Sequence, residues 1–135
     1  MPRLIRIAAL AIAALTLAPC AMADTIGFHV GSQHFPAKNY NNFNPGIYYR
    51  TDAGWTVGDY RNSLRRNSFY AGYTWKFGAL DVTTAAVTGY FHPVQPLLVP
   101  SWSLFTYHGV TPRVAYIPRV EKRIGAHVVH LMIEY

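Results

Sequence analysis

The sequence predicts an all-β fold, an eight-stranded antiparallel up-and-down β-barrel that follows a cleavable leader. Three observations predict it. Apolar and polar residues alternate along several short segments, turn-forming clusters separate those segments, and no helix-length apolar stretch follows the leader. The composition agrees, at 51% hydrophobic, 15% aromatic and 13% charged, with ten Gly and nine Pro. A chain this apolar buries enough surface to offset its ordering entropy, which excludes disorder. So many Gly and Pro with so few charges exclude a coiled coil. The length fits one domain.

The leader is read over Met1–Ala23: basic Arg3 and Arg6, an apolar run from Ile7 to Leu17, then Ala21-Met22-Ala23. That is the layout of a secretory signal peptide, with an apolar run too short to span a bilayer. A rival reading makes Cys20 a lipid-modified cysteine, but Pro19 is a poor residue directly before one. Cleavage after Ala23 leaves Asp24–Tyr135 as the barrel domain, without cysteine, so neither a disulfide nor a thiolate metal site is expected. No cofactor and no metal are expected. Export makes nucleic acid a poor partner, and the positive charge that remains without Arg3 and Arg6 suits an anionic membrane surface better.

Each strand has its own signal. Thr25–Ser32 alternates, with Ile26, Phe28 and Val30 on one face and Gly27 and His29 on the other, and an Asn-rich segment follows. Gly46–Thr51 is a second strand, closed by Asp52-Ala53-Gly54, and Trp55–Arg61 is a third. Asn67–Phe77 is the clearest, with Phe69, Ala71, Tyr73, Trp75 and Phe77 on one face. Leu80–Phe91 is rich in Thr and Val. A proline-spaced connection (Pro93, Pro96, Pro100) leads to Trp102–His108, and Pro112–Ile117 and Ala126–Tyr135 complete the set.

Connections after strands two, four and six read as tight, and those after one, three, five and seven as longer and more polar. Outer-membrane barrels show this asymmetry. The last strand alternates Val129, Leu131, Ile133 and Tyr135 against His130 and Glu134, and ends on an aromatic, like the assembly signal of such barrels. An outer-membrane location in a Gram-negative envelope is expected, with membrane lipids as partners and a monomeric state. A non-catalytic outer-membrane or periplasmic β-barrel binding lipid or an apolar ligand is the alternative. Eight strands enclose an interior just wide enough for side chains or one slender ligand.

In this topology the odd-numbered connections share the outer rim. His34 falls in the first and Ser63 in the second, among Arg61, Arg65 and Arg66. An imidazole could serve as general base to a serine or lipid hydroxyl while the cations hold phosphates. His127 and His130, three apart on a strand, face opposite ways and form no metal pair. Asp59, Asp81 and Glu134 are candidate interior partners for Arg50 or Lys76, and Asn41, Asn42 and Asn44 are read as loop-shaping.

The stretch Tyr60-Arg61-Asn62-Ser63 to Phe69-Tyr70-Ala71-Gly72-Tyr73-Thr74-Trp75 resembles the core of the lipid A palmitoyltransferase (PagP) family. There an acidic-Ser pair precedes a strand containing Ala-Gly-Tyr-small-Trp. Pro96-Leu97-Leu98-Val99-Pro100 to Tyr116-Ile117-Pro118 is similar to its Pro-rich segment and Tyr-Ile-Pro. Ala126–Tyr135 is similar to its closing strand, and Tyr40-Asn41 and Gly46 fit less specifically.

The resemblance implies an eight-stranded outer-membrane barrel that moves an acyl chain from a phospholipid to lipid A with a His, an Asp and a Ser at the outer rim. It carries the serine to Ser63. Asn62 stands where the family has Asp and cannot bear its negative charge. The histidine is His34, nearer the rim, or alternatively His29, which matches better locally. Arg61 and Arg65 are the expected phosphate holders. Thr74 replaces a Gly at the floor of the family's acyl-binding interior, which implies a shorter chain than palmitate. Pro93, Pro96 and Pro118 would interrupt ladder bonding, as prolines do where lipid enters the family's barrels. The family's N-terminal amphipathic helix has no counterpart, and the first loop is shorter.

Overall fold

A computed structural model describes residues 24–37, 39–118 and 126–135, so the expected leader, Cys20 included, lies outside the described residues. The strands are β1 (Thr25–Phe35), β2 (Phe43–Arg50), β3 (Trp55–Arg61), β4 (Asn67–Phe77), β5 (Leu80–Val87), β6 (Gln95–Ser103), β7 (Thr111–Ile117) and β8 (His127–Glu134). Each pairs antiparallel with its sequence neighbour, and β1 pairs with β8 from Gly27–Glu134 to Phe35–His127, closing the barrel. No helix occurs among the described residues.

β3 and β4 have their expected bounds; the other six differ from theirs, most consequentially β1, β5 and β6. β1 runs on to Phe35, so His34 is a strand residue and not part of the first connection. A bulge at Val30 shifts the register against both β2 and β8. The extra residue reverses which parity faces inward, as bulges do. His29 points inward before it, and Ser32 and His34 after it. β5 stops at Val87, short of the expected Phe91.

β6 is the proline-spaced segment itself, not Trp102–His108. The Ser103 amide donates to Ala79 O at the start of β5, so the odd residues of β6 turn their amides toward β5 and the even ones toward β7. Pro96 and Pro100 therefore lack donors only on the β7 side. There the ladder has three pairs, Ser101–Ala115, Trp102–Val114 and Ser103–Arg113. Continuing that register sets Pro100 opposite Tyr116 and Leu98 opposite Pro118, so a proline removes a donor at each further step. Among the described residues no β6–β7 ladder pair follows Ser101–Ala115 toward the end that carries the β1–β2, β3–β4, β5–β6 and β7–β8 connections, here the loop end. At the opposite, turn end the sixth connection is not tight. It carries a small hairpin bridged by Tyr107 and Val110, with His108 and Gly109 at positive φ.

Polarity is inverted relative to a water-soluble barrel. Phe43, Trp55, Phe69 and Phe77 on the wall are each more than three-fifths exposed, and Val129, Leu131 and Ile133 line the outside of β8. Inside are Arg50, Asp81, Arg113, His130 and Glu134, all buried. The apolar part of the interior is a small mid-barrel cluster of Tyr48, Tyr70, Val87, Ala115 and Met132. Gly27 and Gly58 make room for it: a Cβ on Gly27 would fall 2.0 Å from Tyr48 Cζ, and one on Gly58 2.7 Å from the Tyr70 hydroxyl.

Toward the turn end, four charges bridge the lumen. Arg50 Nη1 lies 3.0 Å from Glu134 Oε1 and 3.4 Å from Asp81 Oδ2, and Arg113 lies 3.2 Å from Asp81 and 3.3 Å from Glu134. Tyr48 donates to Glu134 at 2.7 Å and Arg113 to Ser101 at 3.1 Å. Buried charge survives only when paired and hydrogen-bonded; the two cations and two anions are paired, while Asp81 Oδ2 and Arg50 Nε make no hydrogen bond among the described residues. Asp81 and Glu134 thus take Arg50, as the sequence suggested. Lys76 instead reaches Asp52 at the surface, 4.0 Å away, and Asp59 accepts the Ile47 amide.

Candidate functional site

Two groups of side chains at and below the loop end bear on chemistry. The first is the rim that the sequence singled out. His34 is buried, stacked on Tyr40 with ring centroids 4.7 Å apart, and its Nδ1 lies 2.6 Å from Asn42 Oδ1. Ser63 lies in the β3–β4 loop, whose carbonyl at Ser63 accepts the Asn41 amide and so ties it to the β1–β2 loop. The two loops are joined, but no hydrogen bond joins His34 to Ser63 among the described residues.

Asn62 is fully buried and fully engaged. Its Oδ1 accepts the amides of Leu64 and Arg66, and its Nδ2 donates to Ser68 Oγ and Gly89 O. An Asx-type side chain that accepts two amides and donates twice staples a loop. This side chain binds its own loop and the β5–β6 connection rather than His34 or Ser63.

The arginines sit outside the wall. Arg61 donates to Asn67, and Arg65, at φ 62°, donates to Asn39 through two nitrogens. Both line a groove of about 560 Å³ whose apolar side is Phe43, Pro45 and Phe69. Cations above an apolar surface suit an anionic lipid headgroup. Thr74 is inside, its hydroxyl 2.8 Å from those of both Thr56 and Thr83. It faces the lumen, within a ladder of three threonines.

The second group lies inside the barrel, one level deeper. Ser32 Oγ is 2.6 Å from His130 Nδ1, His130 Nε2 is 2.8 Å from His29 Nδ1, and His29 Nε2 is 2.8 Å from the Tyr70 hydroxyl. The rings of Tyr48 and Tyr60 enclose His29, with centroids 5.0 and 5.2 Å away. Tyr60 hydrogen-bonds Tyr90 at 2.6 Å, and burial pushes the Tyr90 phenol above its ordinary value.

A neutral imidazole donates through one nitrogen and accepts at the other. With all four groups neutral, the chain of donors therefore runs in one of two directions. In one, Ser32 donates to His130, His130 to His29 and His29 to Tyr70. That direction puts an unprotonated nitrogen against the serine hydroxyl.

Sequence reasoning named His29 as the alternative histidine but did not find this group. That His130 faces inward was legible from its alternation with Val129 and Leu131. The inward turn of Ser32 was not, because the bulge that causes it leaves no residue signature. His127 faces outward and His130 inward, as expected, and among the described residues no cluster of His, Cys, Asp or Glu could hold a metal ion. No family model, no curated protein and no solved structure matches the chain.

Proposed function

We propose that the protein is an outer-membrane β-barrel that transfers an acyl chain from a phospholipid to lipid A, the activity that its sequence resemblance implies. The observation that carries this reading is an apolar outer wall broken at one seam, between β6 and β7, beside a polar lumen containing histidine and serine. A wall of exposed Phe, Trp, Val and Leu over a charged interior fits hydrocarbon outside. A seam without ladder bonds would give a lipid a way in, and Arg61 and Arg65 would give its phosphate a place at the rim. The barrel acts as a monomer in this reading.

The test is mass spectrometry of lipid A from cells with and without the protein, with folded barrel verified in the outer-membrane fraction. An added acyl mass is expected; its absence with folded protein present removes the enzyme. A second reading, a non-catalytic barrel that binds lipid or another apolar ligand, is favoured by Asn62, which supplies no carboxylate to the rim. It predicts no new lipid A species and co-purifying lipid. Recovery solely from the periplasmic fraction would remove the membrane location altogether.

A further inference from the structure

We propose that Ser32 is an acyl-accepting nucleophile, with His130 as its general base and His29 as the residue that positions His130. The inference rests on the acyl-transfer reading for its substrate class, a lipid carboxylic ester, but assigns the chemistry to residues other than Ser63 and Asn62. The geometry is that of a triad: nucleophile to base 2.6 Å, base to orienting group 2.8 Å. Tyr70, bonded to the far nitrogen of His29, completes the chain and fixes that ring. Among the described residues Ser63 has no imidazole bonded to it.

Access follows from the ladder. Ser101 is registered with Ala115, Ala115 with His130, and His130 with Ser32, so one row crosses β6, β7, β8 and β1. Ser101–Ala115 is also the last β6–β7 pair before the seam opens. From that seam the row runs past Ala115 and His130 to Ser32. The bulge at Val30 is what turns Ser32 into that row.

In the reaction, Ser32 Oγ bonds to the ester carbonyl carbon as its proton passes to His130 Nδ1. The bond from that carbon to the glycerol oxygen then breaks, and His130 returns the proton to the departing oxygen, leaving acyl-Ser32 and a lysolipid. A hydroxyl of the acceptor attacks the acyl carbon and gives its proton to His130. Ser32 departs and takes that proton back.

The experiment treats the full chain, purified as folded barrel in detergent, with a long-chain alkyl fluorophosphonate. Ser Oγ displaces fluoride from phosphorus, and peptide mass spectrometry reports the labelled serine. A label on Ser32 is expected, absent in Ser32→Ala and retained in Ser63→Ala. His130→Ala should slow labelling by roughly 100-fold or more. His29→Ala should slow it as well, and His29→Gln should restore part, because an amide oxygen can accept from His130 Nε2 where alanine cannot. Ser32→Ala removes a single oxygen, so it reads the assignment even where the histidine variants do not fold.

A label on Ser63, or none on a barrel that shows the heat-dependent gel shift of a folded one, overturns the assignment. Lipid A analysis separates the two claims. Acyl transfer that persists in Ser32→Ala sinks this inference and leaves the proposed function standing. Labelled Ser32 without a lipid A product does the reverse.

Discussion

Arg50 on the second strand and Glu134 on the last meet across the lumen at 3.0 Å, both buried, with Asp81 and Arg113 closing the square. Neither carboxylate has a single cation and neither guanidinium a single anion. Removing one corner strands the others in a poorly solvated interior. Glu134→Ala should therefore cost roughly 3–5 kcal/mol, far more than a surface pair would. Urea unfolding in detergent micelles measures it. A loss below about 1 kcal/mol would mean that water reaches this level of the lumen.

The wall makes a different prediction. Leu131 lies midway along β8 and faces outward. If hydrocarbon surrounds it, Leu131→Arg should destabilise the barrel by about 2–4 kcal/mol in a bilayer. A barrel in water would lose little from a charge at an exposed position. Equilibrium unfolding from lipid vesicles, compared for Leu131→Arg and wild type, decides between the two environments.

Asn62→Asp installs the residue found in the family that the sequence resembles. Its carboxylate would keep the Leu64 and Arg66 amides but lose both donations, and would face the Gly89 carbonyl. We expect a loss of about 1–3 kcal/mol and faster hydrogen exchange across residues 62–66. A variant as stable as wild type would show that the loop rearranges around a carboxylate.

The open seam can be narrowed. In Pro100→Ala/Pro118→Ala, each alanine regains an amide, one opposite Tyr116 and the other opposite Leu98. Each new hydrogen bond should contribute ~1 kcal/mol. The Tyr116 and Leu98 amides should go from fast to slow hydrogen exchange, and acyl transfer should fall. Undiminished transfer with a protected seam would exclude this route of entry.

Much of the fold was legible because alternation survives wherever one face meets a uniform environment. β4 shows it with Phe69, Tyr73 and Trp75 outward, and β8 with Val129, Leu131 and Ile133. β6 hid behind Pro96 and Pro100, since proline normally argues against a strand. It is tolerated here because the missing donors face a seam with no ladder. The candidate site was less legible. His34 was placed one element too far along, and Ser32 was given no role, because a single extra residue at Val30 inverts the inward parity of β1. The approach of Ser32 to His130 depends on barrel closure, a relation between the two ends of the chain that no local pattern contains.

That closure also dictates how the molecule can assemble. Gly27 pairs with Glu134, so the first strand has no partner on one side until the last eight-residue strand is in place. Pairings this distant in sequence form late and slowly. Until then the chain exposes two unsatisfied strand edges and a coat of aromatic side chains, a combination prone to aggregate. A truncation inside β8 would therefore leave an open sheet rather than a slightly weaker barrel.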